Sequence, residues 1–274
     1  MEVACAQALL AAGWSARLGS HFAAGALDET RELDVLGVRE ERLLSGVTVR
    51  LRTLISCRGF PHERGPLSYS VSSNCVPSFE PRLLSSHRAP QAPPGLPTYG
   101  QLPHLEEHSA TQLLHAAGLN AARPLVAFDV LERPDPPKNK AGQTKAPTLK
   151  RAADGDRYLF RAIDSALSAA FYWRQRDYSD GSYFVVLNVP VCLLSIPFWD
   201  VCIDQAKVGE PAIRSRGYQS NSYPDRPYPT QAMVLVWTRE ELPSLVRALD
   251  NLFHWLREEL TKPEYISLWP TGTG

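Results

Sequence analysis

The stretch 183–194, YFVVLNVPVCLL, constrains the fold more than any other part of the chain. A run so apolar and so rich in β-branched residues reads as a strand. A half-exposed strand would alternate apolar and polar residues; this one does not, so both of its faces must be buried. That places it in the centre of a sheet with helices on both sides. Pro190 has no N–H to give to a ladder, so the strand must carry a bulge or change partner there.

The covering helices are legible nearby. Over residues 157–174, Leu159, Ile163, Ala166 and Ala170 recur at helical spacing, with Phe160, Leu167 and Phe171 beside them. After a strand at 231–237, Leu242, Leu245, Leu249, Leu252, Phe253 and Leu256 form a second stripe, introduced by a Thr238/Glu241 capping box. Residues 2–12 and 105–117 are two further helices, closed by Gly13 and Gly118. Strands are expected at 15–22, in RELDVLG, at 47–57 and at 123–131, with 39–45 a polar connection. Residues 66–103, rich in Ser and Pro, and 205–230, polar and rich in Tyr and Pro, read as connections. The result is an α/β chain with a sheet between helices, a single domain over 1–274 in which 60–155 is an insertion.

The chemistry concentrates between Arg31 and Gly59. In RELDVLG, the alternation of a strand puts Glu32 and Asp34 on one face, with Leu33 and Val35 on the other. In the following strand Ser56 and Arg58 share one face, and Ile55 and Cys57 the other. If the two strands pair as a hairpin, two acids, a hydroxyl and a guanidinium meet at one end of a sheet. Such a group is a candidate site for a metal ion and a phosphate.

This stretch resembles the PD-(D/E)XK, or restriction-endonuclease-like, nuclease superfamily, most nearly its Mrr-type and Holliday-junction-resolvase-like branches. Met1 to Trp14 matches the opening helix with Glu2 as its acid, RELDVLG the Asp strand, and Ile55-Ser56-Cys57-Arg58-Gly59 the stretch that in the family reads like I-E-C-K-G. The resemblance implies an α-β-β-β-α-β core, a mixed central sheet flanked by helices. It also implies DNA as partner, Mg²⁺ as cofactor, and a restriction or phage-defence setting. By the same resemblance Asp34, Ser56, Arg58 and Glu32 occupy the catalytic positions, with Asp34, Glu32 and Glu2 as metal ligands. The chain departs from the pattern where Ser56 stands for the second carboxylate and Arg58 for the lysine. A hydroxyl is a poorer Mg²⁺ ligand than a carboxylate, and Arg stays protonated, although it binds phosphate bidentately. Two readings follow: a Mg²⁺-dependent deoxyribonuclease, or a silent scaffold that binds DNA or a protein partner.

Lys+Arg and Asp+Glu both number 29, so nucleic acid has to be met by local basic patches rather than by net charge. Candidates are Arg58, Lys150, Arg151 and Arg161, with a basic loop carrying Lys138, Lys140 and Lys145. The plainer readings are a solvated strand end for Arg58, a solvated helix face for Arg161 and a linker for the loop. His104-Leu105-Glu106-Glu107-His108 spells H-x-x-E-H, an inverted zinc-peptidase motif, without a third ligand in suitable context. The five cysteines form no close pairs, which suits buried thiols in a reducing compartment. No apolar run is long enough to span a bilayer. The expectation is a soluble cytoplasmic protein without membrane contact, and the Ala/Arg/Pro-rich usage points to a GC-rich bacterial source.

Overall fold

The computed structural model describes residues 1–24, 29–43, 45–60, 64–71, 81–88, 99–100, 103–120, 124–132, 150–151, 155–176, 183–204, 207–208, 212–223 and 230–266. Cys75 and the lysines at 138, 140 and 145 lie outside them.

The chain opens with α1 (Glu2–Ala11), β1 (Ser15–Ala24), β2 (Glu29–Arg42) and β3 (Thr48–Arg58). The helix is built from strong formers and ends as Gly13 predicts. Gly13, at φ +82°, donates to Leu10 O at 3.0 Å, and Trp14 donates to Leu9 O at 3.0 Å, the paired bonds of a Schellman stop. Residues 60–155, expected as an insertion, supply β4 (Arg64–Val71), β5 (Leu84–Arg88), β6 (Tyr99–Gly100), α2 (Pro103–Ala116), β7 (Leu125–Glu132) and β8 (Lys150–Arg151). Gly118 closes α2 in the same way as Gly13 closes α1, with Leu119 donating to Leu114 O at 2.7 Å. Then come α3 (Gly155–Arg176), β9 (Phe184–Leu194), β10 (Phe198–Asp204), β11 (Lys207–Val208), β12 (Ala212–Arg214), β13 (Arg216–Tyr223) and β14 (Thr230–Thr238). The chain ends in α4 (Leu242–Glu259) and α5 (Pro263–Ile266).

The described strands join into one mixed sheet, in the order β1-β2-β3-β9-β14-β13-β7-β4-β10-β11. The first three form an antiparallel meander, and β9 runs parallel to β3 from Thr48↔Phe184 to Arg58↔Leu194. Every residue of β9 is buried, as its composition demands. Its other edge is shared: β5 pairs antiparallel with residues 184–188, and β14 pairs parallel with 191–194. Pro190 falls in the gap between those two ladders, where a missing N–H costs least. The expected change of partner is therefore present.

Helices cover both faces. Leu9 of α1, Leu113 of α2 and Leu245, Leu249 and Phe253 of α4 pack with Val35, Ile55, Val191 and Leu235 on one face. On the other, Ile163, Leu167 and Phe171 of α3 pack with Leu36, Leu54, Cys192 and Val236. The chain is thus α/β, a mixed central sheet between helical layers. Among the described residues no helix is long and apolar enough to cross a membrane.

Several expected connections are structured instead. Residues 64–71 form β4 inside the sheet, between β7 and β10, and 84–88 pair with β9. Residues 216–223 form β13 on β14. These segments are polar or interrupted by Pro and Gly, and their neighbours rather than their own periodicity place them in the sheet. β2 runs on through the expected polar connection because its charged residues find partners: Arg39 with Asp250, Glu40 with Arg50 and Glu41 with Arg257. The capping box does not form. Thr238 precedes a 3₁₀ turn, its buried hydroxyl has no partner, and Glu241 accepts instead from Ser215 Oγ at 3.3 Å.

Gly37 is where α1 meets β2. A Cβ there would lie 2.6 Å from Thr53 Cγ2 and 2.9 Å from Leu9 Cδ1. Gly37→Ala is expected to destabilise the fold by about 1–3 kcal/mol through overpacking. Urea unfolding checks this through a lower midpoint at unchanged slope.

Candidate functional site

The sheet splays at Asp34. The β2–β3 ladder begins at Val35↔Ile55, so residues 29–34 of β2 leave β3 while β3 stays on β9 through Arg58. Asp34 fills the opening with its side chain. Its Oδ2 accepts the Cys57 N–H at 2.6 Å and the Ser56 hydroxyl at 3.3 Å. Arg58 Nη1 lies 3.6 Å from the same oxygen and donates to Cys57 O at 2.9 Å. Beyond Arg58 the strand end is fastened to the end of β9: Ser195 N donates to Arg58 O, and Ser195 Oγ accepts from Phe60 N, both at 2.9 Å. Arg58 and Asp34 keep 25% and 19% of their side chains exposed, so this edge is open to a ligand without being a loose surface.

The geometry brings together Asp34, Ser56 and Arg58, three of the four residues expected at the catalytic positions. Glu32 turns towards β1. The alternation of β2 breaks at Asp34: Leu33 joins the α3 side of the core and Val35 the opposite side, so they do not share a face as expected. The opposing residue of β1 is Gly19, at φ +61°, and a Cβ there would lie 3.0 Å from Glu32 Oε1. The Glu32 carboxylate therefore lies over Gly19 and is exposed. Glu2 is exposed on the first turn of α1, and its charge acts on the Cys57 thiol, as that of Asp34 does. Among the described residues no three His, Cys, Asp or Glu are grouped to hold a metal ion.

The thiols around this edge are inert. Burial first, then Cys5, Asp34, Glu2 and Cys192, push the Cys57 thiol well above its ordinary range. Burial likewise raises Cys192 to about 12, with Arg58 opposing, and Cys5 to about 12, with the N-terminal ammonium opposing. None supplies a thiolate near neutrality.

α3 docks beside the opening. Asp164 pairs with Arg31, and Ser165 Oγ donates to Glu32 O at 3.3 Å. Arg161, one turn earlier, is exposed at the same end of the sheet and has no ion pair among the described residues. Lys150 and Arg151 pair as a short strand with residues 131 and 132 of β7. In the H-x-x-E-H stretch His104 and His108 are exposed, and Glu107 is committed to Arg82. The buried acid of that helix is Glu106, which accepts the Ser85 N–H and Oγ, each at 2.8 Å. Burial raises the Glu106 carboxyl despite those bonds and the opposing charges of Arg174 and Arg82.

Two polar clusters escaped the sequence reading. Asp200 of β10, 2% exposed, accepts Ser68 Oγ and Ser70 Oγ at 2.9 Å each and pairs with Arg214 Nε at 2.8 Å. Arg52, 4% exposed, donates to Asn188 Oδ1 at 3.1 Å, with its guanidinium 5.2 Å over the Trp173 ring. The second had a visible signal: an Asn inside an otherwise apolar run and arginines alternating along VRLRT. Comparison with protein-family models, curated proteins and solved structures finds no match for this chain.

Proposed function

We propose that the chain is a restriction-endonuclease-like scaffold that holds DNA by its phosphate backbone at the Asp34–Arg58 edge, without a hydrolytic step. The succession α1, the β1–β2–β3 meander, α3 and β9 follows the α-β-β-β-α-β order that the resemblance implies. In it β2 runs antiparallel to both neighbours and β9 parallel to β3, with α1 and α3 on opposite faces.

The observation that carries the proposal is the arrangement around Asp34 Oδ2. Mg²⁺ requires several hard oxygens, but here one carboxylate oxygen already takes a backbone N–H and a hydroxyl and has a guanidinium 3.6 Å away. This donor set does not fit a resident Mg²⁺. It does fit an anion. Cys57 O and Asp34 hold the Arg58 fork at the strand end, and a phosphate oxygen can be bound by its remaining N–H groups. Arg161 adds a second positive charge at that end of the sheet.

Arg58→Ala is expected to weaken duplex DNA binding about tenfold. It should also lower the slope of log K against log salt by about one, because one phosphate contact is lost. Fluorescence anisotropy of a labelled duplex over a salt series measures both. No DNA binding by the wild type at low salt, or an unaltered slope in the variant, would remove the proposal and leave the protein-binding scaffold.

A further inference from the structure

β1 ends the sheet. Among the described residues it pairs with β2 alone, so one side of a ten-residue strand carries N–H and C=O groups that no described strand takes up. Such an edge templates pairing with another chain, and proteins usually blunt it with charge or cover it. This one is bordered by apolar side chains instead. Of the six large hydrophobic residues exposed among the described ones, Val3, Leu10 and Leu18 belong to β1 and to the helix that lies on it.

All three stand on one face. Residues directly opposite in an antiparallel pair point to the same side of the sheet. Leu18 opposes Val35, which belongs to the core on the α1 side, whereas Arg17 opposes Leu36, on the α3 side. Leu18 is therefore on the α1 face. α1 buries Cys5, Ala6 and Leu9. Val3 and Leu10, seven residues apart, form one flank of it, and Met1, Ala8 and Ala12 form the other. That other flank packs into the core that α4 shares. α1 lies on β1 and β2, and α4 farther in, on β3 and β14. The Val3–Leu10 flank thus looks out over the open edge.

A two-fold dimer presents the same patch from both copies, and this apolar flank meets its own image without charge repulsion. Opposed residues must share a face, so the axis passes through one residue of β1. With Arg17 on the axis, two guanidiniums would be opposed. With Leu18 there, the ladder would cross Gly19, at φ +61°, beyond which Ser20 opposes Leu33 on the α3 side. Ala16 on the axis avoids both. It sets Arg17 against Ser15 of the second copy, and Leu18 against Trp14 of the second copy.

We propose that β1 pairs antiparallel with β1 of a second copy around Ala16, so that one sheet runs through a two-fold dimer and the apolar flanks of both α1 helices cover the seam. This proposal does not rest on the DNA-binding reading. The interface is small, so the dissociation constant should be on the order of 10–100 µM.

Sedimentation equilibrium of the full chain, from micromolar to near-millimolar concentration, should show monomer and dimer in exchange. Leu18→Lys puts a charge at the seam and should weaken the dimer at least tenfold, with a melting curve at low concentration like that of the wild type. Ile213→Lys makes the same change at a residue of β12 that is 65% exposed, and should leave the dimer as it was. Ala16→Cys brings two thiols to the axis, where facing Cα atoms of an antiparallel ladder are about 4.5–5.5 Å apart and within reach of a disulfide. On mild oxidation this variant should give a cross-linked dimer in excess of the wild-type background. The proposal is overturned if the chain stays monomeric throughout, the result expected where the edge takes a strand of another protein. It is also overturned if folded Leu18→Lys dimerises like the wild type, if Ile213→Lys weakens the dimer equally, or if the dimer forms without the Ala16→Cys cross-link.

Discussion

Asp200→Ala is expected to cost the fold about 2–4 kcal/mol. The Asp200 carboxylate stands where β10 meets β4 and β12, and its side chain is 1% exposed. It accepts two serine hydroxyls and the Arg214 Nε–H, so its removal takes one acceptor from three donors at once. Breaking a buried ion pair by removing one partner costs roughly 3–5 kcal/mol when the other charge stays buried. Two features reduce that here. The Arg214 side chain is 28% exposed and can turn towards water, and Ser68 Oγ keeps an alternative acceptor in Trp199 O at 3.3 Å. Ser70 has no such alternative among the bonds described. Asp200→Asn should be milder, because an amide oxygen still accepts one hydroxyl while the charge pair is lost. Urea unfolding of both variants measures the difference. An Ala variant within about 0.5 kcal/mol of the wild type would mean that the cluster is solvated rather than buried.

The double change Ser56→Glu with Arg58→Lys is expected to strengthen Mg²⁺ binding, and with it metal-dependent nicking of plasmid DNA. Both side chains adjoin Asp34 Oδ2, at 3.3 Å and 3.6 Å in the native chain. Glu at 56 would add a second carboxylate beside the first, and two carboxylates so close favour a divalent cation between them. Lys at 58 replaces a planar fork with a compact ammonium and frees the oxygen that Arg58 faces. Ser56 is 1% exposed, so the longer Glu can be accommodated only by moving into the opening where β2 leaves β3. Because the residues share one partner, the single changes should do little and the pair much more than their sum. Calorimetric titration with Mg²⁺ and a nicking assay on the four variants provide the measurement. A folded double variant that neither binds Mg²⁺ nor nicks would show that the site lacks more than these two residues.

Asp34 itself is more structural than its place in the sequence suggests. From the alternation alone it is an exposed acid whose removal leaves the fold intact. The 2.6 Å bond from the Cys57 N–H makes it the partner of a backbone group that β2 no longer pairs. Any loss of function on removing Asp34 has therefore to be separated from loss of stability.

The sequence by itself determined the layers. Continuous apolarity over 184–194 required a central strand, and the stripes in 157–174 and 242–256 required helices above and below it. Gly13 and Gly118 marked two helix stops, and Pro190 marked the change of partner along β9. All of these rest on local physics: side-chain period, positive φ and a missing N–H. What only the tertiary structure decided was where polar chemistry gathers. β4 and β13 carry no apolar pattern of their own and become strands because neighbouring backbones accept them. Asp200 finds Ser68 and Ser70 across 132 and 130 residues of chain, and Arg52 finds Asn188 across 136. The strand alternation that would put Leu33 and Val35 on one face fails where Gly19 and the departure of β2 from β3 interrupt it, at Asp34. Periodicity reports which face of a regular element a residue occupies; it carries no information on where the element stops being regular, and the candidate site lies at that point.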